Sequence, residues 1–448
     1  MERHSILSTN DLDYPDQTHI LLAGSLTISA SSRLSLSPPI YLRSPSRLEH
    51  TLLCRSTRHK TPSQITTLSL DQSPPASGNN LHLACFLSTG EFTIFTVNHT
   101  LPSTSSQKLK YVPVRRNART SPIIQAVYHH PLLITLSYAF HLSIYNLSSD
   151  TITHTQTLTS FTSFPPTSLV LSTPSPTTYK LVLAYTIPVY PAHWSVGATE
   201  LIISGMSSWS SSPPSPSFSP GFSSPLPIEP MSVVATRTTR ALDVPQGWID
   251  EQKLRSMREQ WSRKVSQVAD TQTDGKWVVL APADGLAPRL SSPASPSSVL
   301  PESSYISNLG PSSLRGQVSS PYTSLGLHSP TILQLYRLSL PSPSPWSASY
   351  SSPHPKLTFV RSLHGQTGPV SALALADGRC VSLGLNGSIW VWDLEGGTGA
   401  EVAAPDSVSI DSGLNLGDDR LVKGTVVFDE KRIITAGASG VVVRRFDV

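Results

Sequence analysis

Short apolar pulses of period two run through most of the chain. Gly90-Glu-Phe92-Thr-Ile94-Phe95-Thr-Val97 alternates as a half-buried strand should. Phe140-His-Leu142-Ser-Ile144-Tyr145-Asn-Leu147 and Gly387-Ser-Ile389-Trp-Val391-Trp392-Asp-Leu394 repeat the pattern. A looser copy closes the chain at Gly440-Val-Val-Val443-Arg-Arg-Phe446-Asp-Val448, with one extra residue. Three matches to one eight-residue template mark an internal repeat.

Each of these strands has apolar strands a short distance upstream. Ile65 to Leu70 and Leu81 to Cys85 precede the first, and Ile124 to Val127 and Leu132 to Leu136 precede the second. Val370 to Leu375 and Arg379 to Ser382 precede the third, with Asp377-Gly378 as the hairpin turn between them. Val426 to Phe428 and Ile433 to Thr435 precede the fourth. The unit is three or four antiparallel strands in about 40–55 residues, the size of a propeller blade. Such a sheet has one apolar face too many to stand alone, so it must stack on copies of itself.

Ser168 to Leu171, Tyr179 to Tyr185 and Glu200 to Ile203 supply a further blade. Lys276 to Ala281 and Thr331 to Leu338 supply another, heavily interrupted. A seventh is expected around residues 17–50, completed by C-terminal strands. The chain is therefore read as one all-β propeller domain over residues 17–448, seven-bladed with degenerate repeats.

Two stretches, 207–230 and 291–330, break the array with Ser and Pro, and a shorter one runs from Pro341 to Pro355. Almost nothing in them would offset the entropy of ordering, so they are expected to be disordered insertions. One segment breaks the β pattern differently. Residues 248–269 are free of Pro, and Leu254, Met257, Trp261, Val265 and Val268 recur at spacings of 3, 4, 4 and 3. This predicts an amphipathic helix inserted within a blade. It either caps the propeller rim or offers its Trp261 face to a partner.

Composition agrees with a strand-and-loop protein. There are 74 serines and 40 prolines in 448 residues, and Pro and Ser at this density exclude a mostly helical fold. The net charge of +4 is mild and its basic residues are scattered, so nucleic acid is not expected as a partner. Three distant cysteines, without a CxxC pair, point to reduced thiols inside a cell, in cytoplasm or nucleus. No stretch approaches the ~20 apolar residues of a membrane span.

The residues from Leu363 to Leu394 resemble a WD40 repeat, with His364-Gly365 near the start and Trp392-Asp393 near the end. The resemblance implies a buried hydrogen-bond network of His364, Ser382, Asn386 and Trp392. Asn386 stands where such repeats carry Asp and cannot supply its charge. Elsewhere Phe95, Tyr145 and Phe446 replace the Trp, and the Gly-His pair is missing. The whole, with its degenerate repeats and Ser/Pro-rich insertions, also resembles the WD-repeat part of fungal F-box/WD proteins, which are substrate-recognition subunits of cullin-type ubiquitin ligases. No Leu-Pro helical segment of F-box type precedes the first blade.

Catalytic signatures are missing from the sequence. It has no P-loop, no GxGxxG after a strand, no GxSxG elbow and no HExxH. His129-His130 sits before Pro131 in a turn, where adjacent side chains of extended backbone point opposite ways, so no metal is expected there. No cofactor is expected either. Lys108, Lys110, Arg115, Arg116 and Arg119 form a basic cluster without an acid among its members, interleaved by Tyr111. Arginine forks of this kind read phosphate, which makes a phosphopeptide a candidate ligand. The expected function is a protein-interaction scaffold without catalysis, and the alternative is an adaptor of a cullin-type ligase.

Overall fold

The computed structural model describes residues 17–45, 49–58, 60–74, 80–113, 121–148, 151–160, 162–189, 192–205, 231–242, 248–283, 329–341, 354–404, 423–437 and 440–446. The expected insertion 207–230 lies outside these residues, as does 291–330 apart from its last two positions.

Seven antiparallel sheets follow one another along the chain. Blade 1 comprises β1 (Thr18–Ala23), β2 (Leu26–Ser31), β3 (Pro39–Arg43) and β4 (Glu49–Leu53). Blade 2 comprises β5 (Ile65–Leu70), β6 (Asn80–Leu87), β7 (Phe92–Asn98) and β8 (Ser106–Tyr111). Blade 3 has β9 (Ile123–His129), β10 (Leu132–Ser137), β11 (His141–Asn146) and β12 (Thr153–Thr159). Blade 4 has β13 (Phe164–Ser175), β14 (Thr178–Val189), β15 (His193–Ser204) and β16 (Ser232–Arg240). Helix α1 (Glu251–Ser262) then leads to blade 5, with β17 (Val268–Thr273), β18 (Trp277–Pro282), β19 (Leu333–Ser339) and β20 (Lys356–Leu363). Blade 6 has β21 (Val370–Ala376), β22 (Arg379–Gly384), β23 (Ile389–Asp393) and β24 (Thr398–Ala403). Among the described residues blade 7 has three strands, β25 (Thr425–Phe428), β26 (Arg432–Gly437) and β27 (Gly440–Arg445).

The first strands of successive blades lie side by side and close the ring, with β25 of blade 7 against β1 of blade 1. The template strands of the sequence are all third strands, β7, β11, β23 and β27. The turn between β21 and β22 has Asp377 at φ 48° and Gly378 at φ 71°, as a two-residue hairpin of the mirror-image type requires.

The core is divided among the seams between blades. Fifteen buried apolar residues, from Ala23 to Val97, join blades 1 and 2, and another set joins blades 2 and 3. Similar sets lie between blades 3 and 4, 4 and 5, and 5 and 6. The seam between blades 6 and 7 is smaller. That between blades 7 and 1 holds three buried residues, Ile20, Ile434 and Ala436, with Leu22 and Val427 half-buried beside them. Each fully buried aliphatic side chain contributes roughly 1.5–3 kcal/mol, so among the described residues the closing seam has the least apolar stabilisation.

Polar contacts reinforce that seam. The Arg432 guanidinium donates to the carbonyls of Ser25, at 3.2 Å, and Gly24, and its Nε donates to Asp429 at 2.7 Å. Gln17 pairs in parallel with Lys423, and its amide donates to the Thr425 hydroxyl at 3.2 Å.

Three expectations change. Residues 18–53 form a complete four-stranded blade of their own, so the C-terminal strands build a separate blade. The helix lies between blades 4 and 5, joining β16 to β17, and not within a blade. It also ends at Ser262 instead of continuing to residue 269. Val265 leaves the helix to exchange backbone hydrogen bonds with Trp194, and Val268 opens β17. Pairing to an existing strand end wins over helix propensity there.

Candidate functional site

Blade 6 carries a buried hydrogen-bond chain. The Trp392 indole N–H donates to the Ser382 hydroxyl at 2.9 Å, and that hydroxyl donates to the amide oxygen of Gln366 at 2.6 Å. The Gln366 amide nitrogen donates to Ser388 Oγ at 3.1 Å, which donates to Asn386 Oδ1 at 2.7 Å. Asn386 turns its amide nitrogen to Thr367 Oγ1 at 3.5 Å, a donation that a carboxylate cannot make. Gly384 lines the chain so closely that a Cβ there would meet Ser388 Oγ at 2.6 Å.

Three of the residues expected in this network therefore stand in it: Ser382, Asn386 and Trp392. His364 is exposed, and its place is taken by Gln366, two residues on and 5% exposed. An amide offers both a donor and an acceptor in one planar group, as a neutral imidazole does, so it bridges the two serines. Asp393 is exposed and accepts from the backbone N–H of Glu395 at 3.1 Å, outside the chain. No repeat motif points to Gln366 in the sequence; the family pattern points to His364. The network joins the turn before β21 to the turn between β22 and β23, and its end at Asn386 and Thr367 reaches the surface.

Other buried acids also join neighbouring blades. Asp71 Oδ1 accepts from the backbone N–H groups of Ser73 and His130, both at 2.9 Å, and Oδ2 lies 3.1 Å from His82 Nδ1. Burial alone would raise the Asp71 carboxyl, but these hydrogen bonds outweigh it and hold the group below its ordinary range. Asp270 Oδ2 accepts from Leu373 N–H at 2.8 Å and Oδ1 from Thr271 N–H at 2.8 Å. There burial prevails and the carboxyl is pushed up.

His130 faces Tyr128 and His82, while His129 packs edge-on to Tyr179 at 5.7 Å. The two side chains diverge, as strand geometry demands, and both are half-buried. Among the described residues no group of three metal-ligating side chains comes together.

The basic cluster is only partly visible. Lys108 and Lys110 lie on β8, and the Lys110 ammonium donates to the Arg55 carbonyl. Arg115, Arg116 and Arg119 lie outside the described residues. Tyr111 stacks on Phe92 at 4.8 Å and meets Tyr145 edge-on at 5.2 Å. Its ring is thus engaged in the seam between blades 2 and 3 and is not free to stack on a nucleic-acid base.

Helix α1 is open to solvent. Asp250 caps it, accepting from Lys253 N–H at 2.7 Å. At its far end the Gln334 amide donates to the Arg263 carbonyl at 2.9 Å, and the Arg263 guanidinium lies 4.1 Å over the Phe359 ring. Between these anchors no residue of the helix is buried. Trp248 is 87% exposed, Ile249 45%, Leu254 40% and Trp261 39%. Trp248 and Ile249 lie just before the cap, outside the helix.

Seven radial blades and the Trp392 network define a WD40-like β-propeller. Within it, residues 42–213 match the model of the F-box protein pof12 beta-propeller family. That span is well under half of the chain, and it covers blades 2 and 3 with parts of blades 1 and 4, not the repeat around Trp392. The chain is similar to the Cps50 (Swd1) β-propeller domain of Myceliophteria thermophila, at 8% identity over 98% of this chain and 100% of that one, with a TM-score of 0.45. It is also similar to Sqt1 of Saccharomyces cerevisiae, at 8% identity over 97% of this chain and 95% of that one, with a TM-score of 0.43. BamB of Moraxella catarrhalis aligns at 9% identity over 98% of this chain and 87% of that one, with a TM-score of 0.37. No curated protein matches the chain. Among the described residues no helix is long and apolar enough to cross a membrane.

Proposed function

We propose that the chain is a protein-interaction scaffold without catalysis of its own, and that α1 is a docking element. The observation that carries this reading is the unburied helix with Leu254 and Trp261 exposed on it and Trp248 and Ile249 exposed just before its cap. Exposed apolar side chains on a helix and on the segment that leads into it fit the groove or helix face of a partner, and tryptophan is among the residue types most enriched at binding hot spots. Three free, buried thiols fit a setting inside the cell. Affinity purification of the wild type and of a Trp248→Ala/Trp261→Ala variant, with mass spectrometry, tests the reading. Specific partners should be lost with the variant; an unchanged partner set would rule out α1.

A second reading, an adaptor of a cullin-type ubiquitin ligase, is favoured by the match of residues 42–213 to a propeller family of F-box proteins. Recovery of a cullin and its linker subunit in the same purification supports it. Their absence from a clean preparation sinks it. The basic cluster adds a phosphopeptide as ligand, tested by Arg115→Glu/Arg116→Glu: unchanged binding to phosphorylated partners would dispose of that patch.

A further inference from the structure

The seven third strands differ in one respect. In blades 1 to 6 each is covered on its outer side by a fourth strand, and most of its residues are buried or half-buried. Among the described residues no strand pairs with the outer side of β27. Val441, Val442 and Val443 are 38%, 39% and 47% exposed, and Phe446 beyond them 36%.

Two of the strands that end the other sheets are polar, Ser106-Gln-Lys-Leu-Lys-Tyr111 and Thr153-His-Thr-Gln-Thr-Leu-Thr159, while β16 carries one strongly exposed valine, Val234. Such edges resist pairing with another chain, whereas an exposed run of β-branched residues is a template for it. Phe446 N–H donates to Lys431 carbonyl at 2.8 Å. By the alternation of an antiparallel ladder, the N–H and C=O groups of Val441, Val443 and Arg445 then point outward.

Charge orients the guest. Arg444 and Arg445 stand at one end of the strand, and Gly440 at the other. An antiparallel guest, the sense of every fourth strand in this molecule, would bring its N-terminal end opposite the arginines. We infer that the outer edge of β27 binds an extended segment of a partner protein that begins with acidic residues and continues with alternating β-branched ones. This surface is independent of α1.

A fluorescein-labelled peptide, acetyl-Asp-Glu-Val-Thr-Val-Thr-Val, serves as probe for the full chain, read by fluorescence anisotropy and amide hydrogen exchange. Binding should slow exchange at Val441, Val443 and Arg445. Replacing the two acids by lysines, or the protein's Arg444 and Arg445 by Glu, should weaken it roughly tenfold. Val443→Pro, which removes only an outward amide, should abolish it. N-methylation of the peptide's alternate amides should do the same on the unaltered protein, and so does not depend on a variant's folding. No binding at millimolar peptide, or equal binding of the N-methylated peptide, overturns the inference. So does protection of these amides in the free protein: independent of concentration, it makes the occupant the chain's own; rising with concentration, a second copy.

Discussion

The indole N–H of Trp392 donates to the hydroxyl of Ser382 at 2.9 Å, with neither group in contact with water. The hydroxyl is a relay, accepting from the indole and donating to Gln366 at 2.6 Å. Removing it strands a donor and an acceptor in the core of blade 6. Ser382→Ala should therefore cost about 2–6 kcal/mol, at the usual 1–3 for each buried group left unsatisfied. His364→Ala should stay within about 0.5 kcal/mol, as exposed substitutions do. Urea titrations of both variants check this, and a His364→Ala loss as large as that of Ser382→Ala would place the histidine back in the network.

His19, on the innermost strand of blade 1, makes stability depend on pH. Burial lowers its imidazole from 6.5 to about 4, against the opposing effect of the hydrogen bond Nε2–H donates to Ile65 carbonyl at 3.2 Å; the charge of Lys423 lowers it further. The folded chain thus binds this proton less readily than the unfolded chain. Stability is full above pH 6.5 and falls between 6.5 and 4, by about 3 kcal/mol at most. His19→Gln should flatten that part of the curve, measured by denaturant unfolding at pH 7.5, 6, 5 and 4.5. An identical slope in the variant would clear His19 of the effect.

Asp71 acts in the same sense but at lower pH. Its folded carboxyl lies below the ordinary value, so its contribution is present above about pH 4 and lost as pH falls through the folded value. Asp71→Asn should weaken the protein at neutral pH while reducing its acid sensitivity below pH 4. Acid titration of the circular dichroism signal of both proteins reads the difference, and parallel curves would contradict it.

The ring should open first where its apolar seam is smallest. In native-state hydrogen exchange, amides of β25, β26 and β1 are expected to exchange at lower opening free energy than those of β10 or β18, every residue of which is buried. Arg432→Ala removes donations to Gly24, Ser25 and Asp429 and should lower that free energy by roughly 1.5–3 kcal/mol, with little change in blades 3 to 5. Uniform exchange around the ring would count against a weak seam.

An α1 that serves binding and not folding makes a separable prediction. Leu254→Asp with Trp261→Ser should change thermal stability by no more than about 1 kcal/mol, since neither side chain is buried, while abolishing partner capture. A large destabilisation would mean that the helix face is part of the core.

Much of the fold was legible because it is written locally. Each third strand carries its own period-two pattern, and Asp377-Gly378 specifies its own turn. The fourth strands were not legible. Strands such as β8 and β24, Thr398-Gly-Ala-Glu-Val-Ala403, lie at the outer edge with one ladder of hydrogen bonds and few apolar contacts, so nothing in their side chains announces a strand. The helix was found but overextended, because Val265 and Val268 keep helical spacing while the backbone at Val265 pairs with Trp194.

The sequence by itself determined a repeated β unit with two apolar faces, and hence a closed array of such units, since neither face is stable in water. It also marked Ser382, Asn386 and Trp392. Only the tertiary structure decided that Gln366 and not His364 joins them, that blade 1 is complete while β27 lacks a covering strand among the described residues, and that α1 is left unpacked. These depend on which distant segments meet: side-chain reach, strand partnership and burial are properties of pairs of residues far apart in the chain, and no local pattern encodes them.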